Sequence, residues 1–437
     1  MRKNYMFAAA AVALLAGGAA KAEDGITFYG TVDVGISYDT HGQPNTTVGS
    51  TSSDYLVSKG GNKSIFTLSP GGLSQSSFGL RGAQDLGESW TGLFRLETGF
   101  NPLGGNIVDG GRSLVNQNGV PLKNQSAVDD SSQNGQAFTK AAYVGIANDR
   151  YGTLTAGRQN TLQADTISVY DPMLGSYAFS VIGFSGAYGG NGSTEDLRWD
   201  NSVKYLGAYG PARLGLMYQF GGTIARNDTG WAVDLGGDYA GLSVDAVYSH
   251  KKDLVSGASL SAAQLASILP GGSLASLGLS PSNTISGTVS DNDAYSFAAK
   301  YKWDPLTFSG GYQYMRFANP SSPLANGAVD LGGYTLLTNN TSFTRNKIVQ
   351  ISFVGVRYAA TSKLDLATAW YHVDQNGFAA SSPSGSENAF SLMADYHFSK
   401  KFDAYAGLMY SQVIDGLANG YLHNNNIDPT IGLRYSF

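Results

Sequence analysis

The sequence predicts an all-β chain that closes into a transmembrane antiparallel β-barrel of 16 strands, with a third long loop folded into its pore. Three observations carry this expectation. Apolar and polar residues alternate with a period of two in about sixteen separate stretches, short and long connections take turns between them, and the composition is rich in glycine and aromatics but poor in charge. Successive side chains of a strand point to opposite faces, so each such stretch has one apolar and one polar side.

The composition narrows the class first. Of 437 residues, 57 are glycine, 26 tyrosine, 20 phenylalanine and 5 tryptophan, and only 14% are charged. Glycine and aromatics suit turns and strands, whereas helix surfaces favour Glu, Lys and Ala, so a helical cytosolic enzyme is disfavoured. With no cysteine, disulfides, thiolate metal sites and cysteine nucleophiles are excluded. Residues 1–22 read as a cleaved signal peptide: Arg2 and Lys3 supply the positive end, Met6 to Ala20 the apolar run, and Ala20-Lys21-Ala22 the small-x-small cleavage site. The run is about 15 residues where a membrane span needs about 20. Cleavage leaves 23–437 as a single barrel domain and, by removing Arg2, Lys3 and Lys21, takes the formal charge from −5 to −8. Nucleic acid is not an expected partner of so acidic a chain.

The alternating stretches fall near 26–39, 75–84, 90–100, 138–147, 152–160, 198–208, 211–221, 229–240, 241–251, 292–303, 305–317, 345–359, 363–374, 387–398, 402–413 and 427–437. In the first, Ile26, Phe28, Val32, Val34 and Ile36 share one face, and Thr27, Tyr29, Thr31, Asp33 and Ser37 the other. The same design recurs with Tyr295, Phe297 and Tyr301 against Ser296 and Lys300, and with Phe390, Leu392 and Tyr396 against Ser391 and Asp395. The last stretch sets Ile431, Leu433, Tyr435 and Phe437 against Thr430, Arg434 and Ser436.

Turn formers such as Asp85-Leu86-Gly87, Tyr209-Gly210-Pro211 and Asp304-Pro305 make the short connections, while long polar segments lie near 40–74, 101–137, 161–197, 252–291, 318–344, 375–386 and 414–426. Tight turns at one end and extended loops at the other are the layout of an outer-membrane barrel. In hydrocarbon each unpaired backbone group costs several kcal/mol, so the first strand must join the last and leave no edge. The apolar faces then meet lipid and the polar faces line the interior. Trp90, Trp303, Phe308, Phe398, Phe402, Tyr435 and Phe437 stand beside short turns, where an interfacial aromatic girdle belongs.

Enzymatic constellations are missing. No H-E-x-x-H, phosphate-binding G-x-x-x-x-G-K-[ST] or G-x-S-x-G pattern is present, and the five histidines are scattered, so neither a cofactor nor a metal is expected. Ser249-His250 and Tyr371-His372 are adjacent on strands and point to opposite faces, which argues against an outer-membrane hydrolase. The polar faces instead collect charge. Strict alternation turns Arg81, Arg95, Lys140, Arg198 and Lys204 inward from the second, third, fourth and sixth strands, with Glu97 and Asp200 beside them. Clustered bases repel one another, and a water-filled lumen both lowers their cost and gives them a use as an ion-selecting wall. The 161–197 connection holds Asp165 and Asp171 amid Tyr170, Met173, Leu174, Tyr177, Phe179, Val181, Ile182 and Phe184. So apolar a loop is expected to fold inward, its acids facing the basic wall across a constriction. Residues 262–269 have the composition of a short helix, to which no function attaches.

Phe28-Tyr29-Gly30, Ser77-Phe78-Gly79-Leu80-Arg81-Gly82 followed by Asp85-Leu86-Gly87, Leu96-Glu97-Thr98-Gly99-Phe100, Ala142-Tyr143-Val144-Gly145, Gly157-Arg158-Gln159, Asp200-Asn201-Ser202-Val203-Lys204-Tyr205 and the terminal Gly432-Leu433-Arg434-Tyr435-Ser436-Phe437 resemble, in this order, the general-diffusion porins of Gram-negative outer membranes, in the β-proteobacterial subgroup. The resemblance covers essentially the whole chain after the signal. It implies a homotrimer in outer-membrane lipid, a pore for small hydrophilic solutes and ions, and a third loop in each pore. It also implies a basic wall at Arg81, Lys140 and Arg198, Glu97 as an inward acid, and terminal aromatics, Tyr435 and Phe437, read by the barrel-assembly machinery. Two inner positions that are basic in the family are Thr31 and Ser77 here. The competing expectations are a substrate-specific porin, with Tyr170 and Tyr177 lining a solute path, and a secreted all-β binding module or adhesin that stays in buffer without detergent.

Overall fold

A computed structural model of the protein describes residues 25–41, 64–107, 137–182, 197–221, 229–252, 255–259, 284–288, 290–322, 328–330, 335–337, 343–380, 383–418 and 423–437. The expected signal peptide and the 262–269 helix lie outside the described residues. Sixteen strands form the wall: β1 (Gly25–Asp39), β2 (Ser77–Gly87), β3 (Trp90–Asn101), β4 (Ala141–Asn148), β5 (Gly152–Asn160), β6 (Arg198–Tyr209), β7 (Ala212–Gln219), β8 (Gly230–Tyr239), β9 (Leu242–Lys251), β10 (Asp291–Trp303), β11 (Leu306–Ala318), β12 (Lys347–Ala359), β13 (Leu364–Gln375), β14 (Gly385–His397), β15 (Phe402–Asp415) and β16 (Asn425–Ser436). Each corresponds to one alternating stretch of the sequence, with ends that agree to within three residues.

Every strand pairs antiparallel with the next, and β1 also pairs with β16, from Thr31 opposite Ser436 to Ser37 opposite Thr430. The sheet therefore closes. The short segment Ile65–Ser69 pairs with the upper part of β1, where β2 no longer reaches, and Asn106–Ile107 folds back to pair antiparallel with the end of β3. Two hairpins, Val255–Ser259 with Thr284–Thr288 and Ala328–Asp330 with Thr335–Leu337, form separate small sheets.

The two faces are inverted relative to a soluble protein. Phe28, Phe297, Trp303, Phe390, Leu433 and Tyr435 are exposed on the outside, whereas Ser37, Ser296, Ser391 and Thr430 are buried on the inside. A soluble sandwich would bury the first set. Tyr396, Phe398, Phe402, Tyr435, Phe437, Phe28, Phe78 and Phe100 form an unbroken chain of ring contacts with centroids 5.0–6.5 Å apart around the outer surface near the closure.

One expectation needs correction. The inner face is not polar throughout, because the inward positions of β11–β15 include Met315, Phe317, Val349, Ile351, Phe353, Tyr371, Val373 and Met409, all buried. Tyr170, Met173, Ala178, Phe179, Val181 and Ile182 of the connection after β5 pack into the same cluster. That connection starts as helix α1 (Leu162–Tyr170), whose Thr161 cap accepts a hydrogen bond from the Ala164 N–H at 3.2 Å. Asp165 in the first turn suits the positive end of the helix dipole. The helix stops at Asp171, which precedes Pro172 and takes the extended backbone that a following proline favours. It packs against the inner side of β7 to β11.

Candidate functional site: the charged inner wall

Alternation on β1, β2 and β3 sends Tyr29, Ser77, Arg81, Arg95 and Glu97 to the same inner face, and the register sets Arg81 opposite Arg95. Glu97 is the anchor. Its Oε1 lies 2.8 Å from Lys140 Nζ and accepts from Ser77 Oγ at 2.9 Å, while Oε2 accepts from Tyr29 OH at 2.8 Å and pairs with Arg95. Arg95 Nε also donates to Tyr29 OH at 2.7 Å. A buried carboxylate with four donors stays ionised, because charge-assisted hydrogen bonds replace its hydration. The guanidinium carbons of Arg81 and Arg95 lie 5.1 and 5.4 Å from the centre of the Tyr29 ring, so one aromatic supports two cations.

A second group joins the wall to α1. Lys204 Nζ on β6 lies 2.9 Å from Asp165 and donates to Asn160 O at 3.0 Å. Beside it, Arg158 bridges Asp200 at 2.5 Å and the Thr139 carbonyl at 2.8 Å. Between α1 and the wall is a cavity of about 300 Å³ lined by Arg95, Lys140, Arg198 and Lys204 with Glu97 and Asp165, and also by Tyr143, Gln159 and Tyr177. Among the described lining residues, four formal positive charges stand against two negative ones.

The structure thus gathers Arg95, Lys140, Arg198, Lys204, Glu97 and Asp165 around one space, with Arg81 on the neighbouring face of Tyr29. Asp171 is placed elsewhere. It is buried against β13, where Tyr371 OH donates to it at 2.5 Å and the Gly175 N–H at 2.7 Å, so it does not face the basic wall. Burial pushes its carboxyl above the ordinary range, against the hydrogen bonds from Tyr371 and Gly175 that favour the charged form. Asp165 contacts its base directly, with no open gap between them. Tyr170 also departs from expectation: it is fully buried, with Arg213 donating to its hydroxyl at 3.0 Å, so it lines no solute path, whereas Tyr177 does border the cavity.

Tyr29 and Ser77 were not singled out as partners of Glu97 by sequence reasoning, although alternation alone puts both on the inner face. A second charged group, Arg213 with Asp238 and Asp245 on β7 to β9, was missed as well. Asp395, His397 and Asp403 lie close enough to share a metal ion. Their own partners already balance them: His397 Nδ1 meets Asp403 at 2.7 Å and Nε2 meets Asp365 at 3.3 Å, and Arg434 donates twice to Asp403.

Comparison with known proteins agrees with this architecture. The family model described as Gram-negative porin matches residues 8–415. An outer membrane porin protein of Bordetella pertussis is 30% identical over 220 residues, which are 50% of this chain and 48% of that protein, so the chain spans about half the length of that relative. The fold resembles the anion-selective porin from Comamonas acidovorans, with a TM-score of 0.60 at 16% identity over 95% of this chain and 100% of that one. It also resembles OmpT of Vibrio cholerae in a trimer form, with a TM-score of 0.52 at 14% identity over 94% and 99% of the two chains.

Proposed function

Since this chain belongs to the family of Gram-negative porins, proteins of the outer membrane, we propose that it forms a water-filled channel through which small hydrophilic solutes and ions diffuse passively. The observation that carries the proposal is the cavity between α1 and the wall, whose described lining carries more bases than acids, inside a barrel whose outer face is apolar. Residues 161–197 act as the constriction loop, and Arg81, Arg95, Lys140, Arg198 and Lys204 outweigh Glu97 and Asp165 there, so anions pass more readily than cations. Charges fixed on a wall act on ions within about 8 Å at physiological salt, which confines the selecting field to this narrow part. Passive diffusion of this kind needs no cofactor.

Three copies assemble as a homotrimer after signal-peptide removal, and Tyr435 and Phe437 present the terminal aromatic signal to the barrel-assembly machinery. Planar-bilayer recording of the purified protein tests the channel: uniform ohmic steps are expected, and folded protein without them would overturn it. In a salt gradient, neutralising Arg81, Lys140 and Arg198 together should move the reversal potential toward cations. An unchanged ratio would remove those side chains from the selecting site.

A further inference from the structure

At the outer end of the closure seam, Asp39 of β1 and Asp428 of β16 stand directly opposite one another. Ser37 faces Thr430, and the Thr40 N–H donates to Ile427 O at 3.2 Å, which carries the same register through the pair. Both side chains turn inward and both are enclosed, Asp39 being 6% and Asp428 1% exposed. Asp39 Oδ1 accepts one hydrogen bond from Asn426 Nδ2 at 3.1 Å, and Asp428 Oδ1 one from Thr430 Oγ1 at 3.0 Å. Asp428 Oδ2 is buried with no hydrogen-bond partner, and among the described residues no basic side chain forms an ion pair with either acid.

Like charges directly opposite on neighbouring strands destabilise a sheet, and a buried carboxylate without a counter-charge is costlier still. One shared proton would leave one negative charge enclosed. A divalent cation neutralises both groups at once, and two carboxylates with the Thr430 hydroxyl beside them are oxygen donors of the kind that hard cations prefer. The pair also lies at the end of the barrel that carries the long connections, the side in contact with the medium.

We propose that Asp39 and Asp428 bind a divalent cation of the calcium class, which staples the first strand to the last at the outer rim. The proposal does not depend on the channel's selectivity. Terbium titration of the purified full-length protein in detergent should give sensitised luminescence that saturates with one calcium-competable ion per chain more in the wild type than in the Asp39→Asn/Asp428→Asn variant. Calcium should raise the wild-type unfolding temperature over that in chelator, and leave the variant's unchanged. Equal ion stoichiometry in the two proteins, or a calcium shift of the same size in both, would overturn the assignment in favour of protonated carboxyls. Should the double variant fail to fold, Asp39→Asn alone should weaken the competable site at least tenfold; unaltered affinity would overturn the proposal.

Discussion

The ring of the terminal Phe437 occupies the space that a side chain on Gly30 would need. A Cβ on Gly30 would meet Phe437 Cζ at 2.5 Å and the Ser77 carbonyl oxygen at 2.7 Å. The same two residues exchange backbone hydrogen bonds, Gly30 N–H to Phe437 O at 3.2 Å and Phe437 N–H to Gly30 O at 3.0 Å. The last residue of the chain thus locks onto the first strand, and the missing side chain on β1 is what admits it. Overpacking such a site costs about 1–3 kcal/mol. Gly30→Ala should lower the unfolding temperature in detergent, and adding Phe437→Ala should recover only part of the loss, since the Ser77 carbonyl still crowds the new methyl. Full recovery would mean that the ring is the only obstacle.

Deleting Phe437 tests the proposed assembly role. Beyond the lost seam contacts, the yield of barrel in the outer membrane should fall while refolding of purified protein in detergent remains possible. Equal yields in cells would show that the terminal ring serves closure alone.

Glu97→Gln should make the channel more anion-selective, because it removes one negative charge from the wall and leaves Arg95 and Lys140 without their shared counter-ion. Stability should drop by about 1–3 kcal/mol through the weakened network. Reversal potential and chemical denaturation read the two effects separately, and a shift toward cations would contradict the charge balance assigned to the cavity.

Asp165→Asn should likewise favour anions and loosen α1 from β6, its partner Lys204 being 2.9 Å away. Pairing it with Lys204→Met removes one charge of each sign, so the double variant should return to near wild-type selectivity. Simple addition of the two single effects on stability would show that the ion pair does not couple helix to wall.

The raised Asp171 carboxyl sets a pH dependence of known sign. An acid that holds its proton more tightly when folded contributes most below its unfolded value, about 3.9, and that contribution is lost as pH climbs through the folded value. Asp171→Asn keeps an oxygen for Tyr371 and Gly175 but cannot titrate. Its unfolding temperature should fall less steeply with rising pH above 4 than the wild type's, and parallel curves would refute the assignment.

Strand number, strand faces and the inward charges were legible because alternation is a local signal that a closed barrel converts into inside and outside, as it does along β14 and β16. The basic residues of the wall follow from the same parity. What parity misses depends on contacts distant in sequence. Nothing near Asp171 discloses that Tyr371, 200 residues away, receives it. Nor do the apolar inward positions on β12, Val349, Ile351 and Phe353, reveal that Met173 and its neighbours cover them, since a strand apolar on both faces also fits a soluble core. Helix α1 escaped notice because nine residues with few charges and little amphipathic pattern give no clear period.

Those apolar inward positions have a mechanical consequence. Swinging residues 173–182 out toward the medium would wet Met173, Phe179, Val181 and Ile182 together with the surface beneath them. Re-exposing each such side chain costs about 1.5–3 kcal/mol, which sums to roughly 6 kcal/mol or more. The segment is therefore cemented rather than hinged, and the cavity that it borders keeps a fixed gauge.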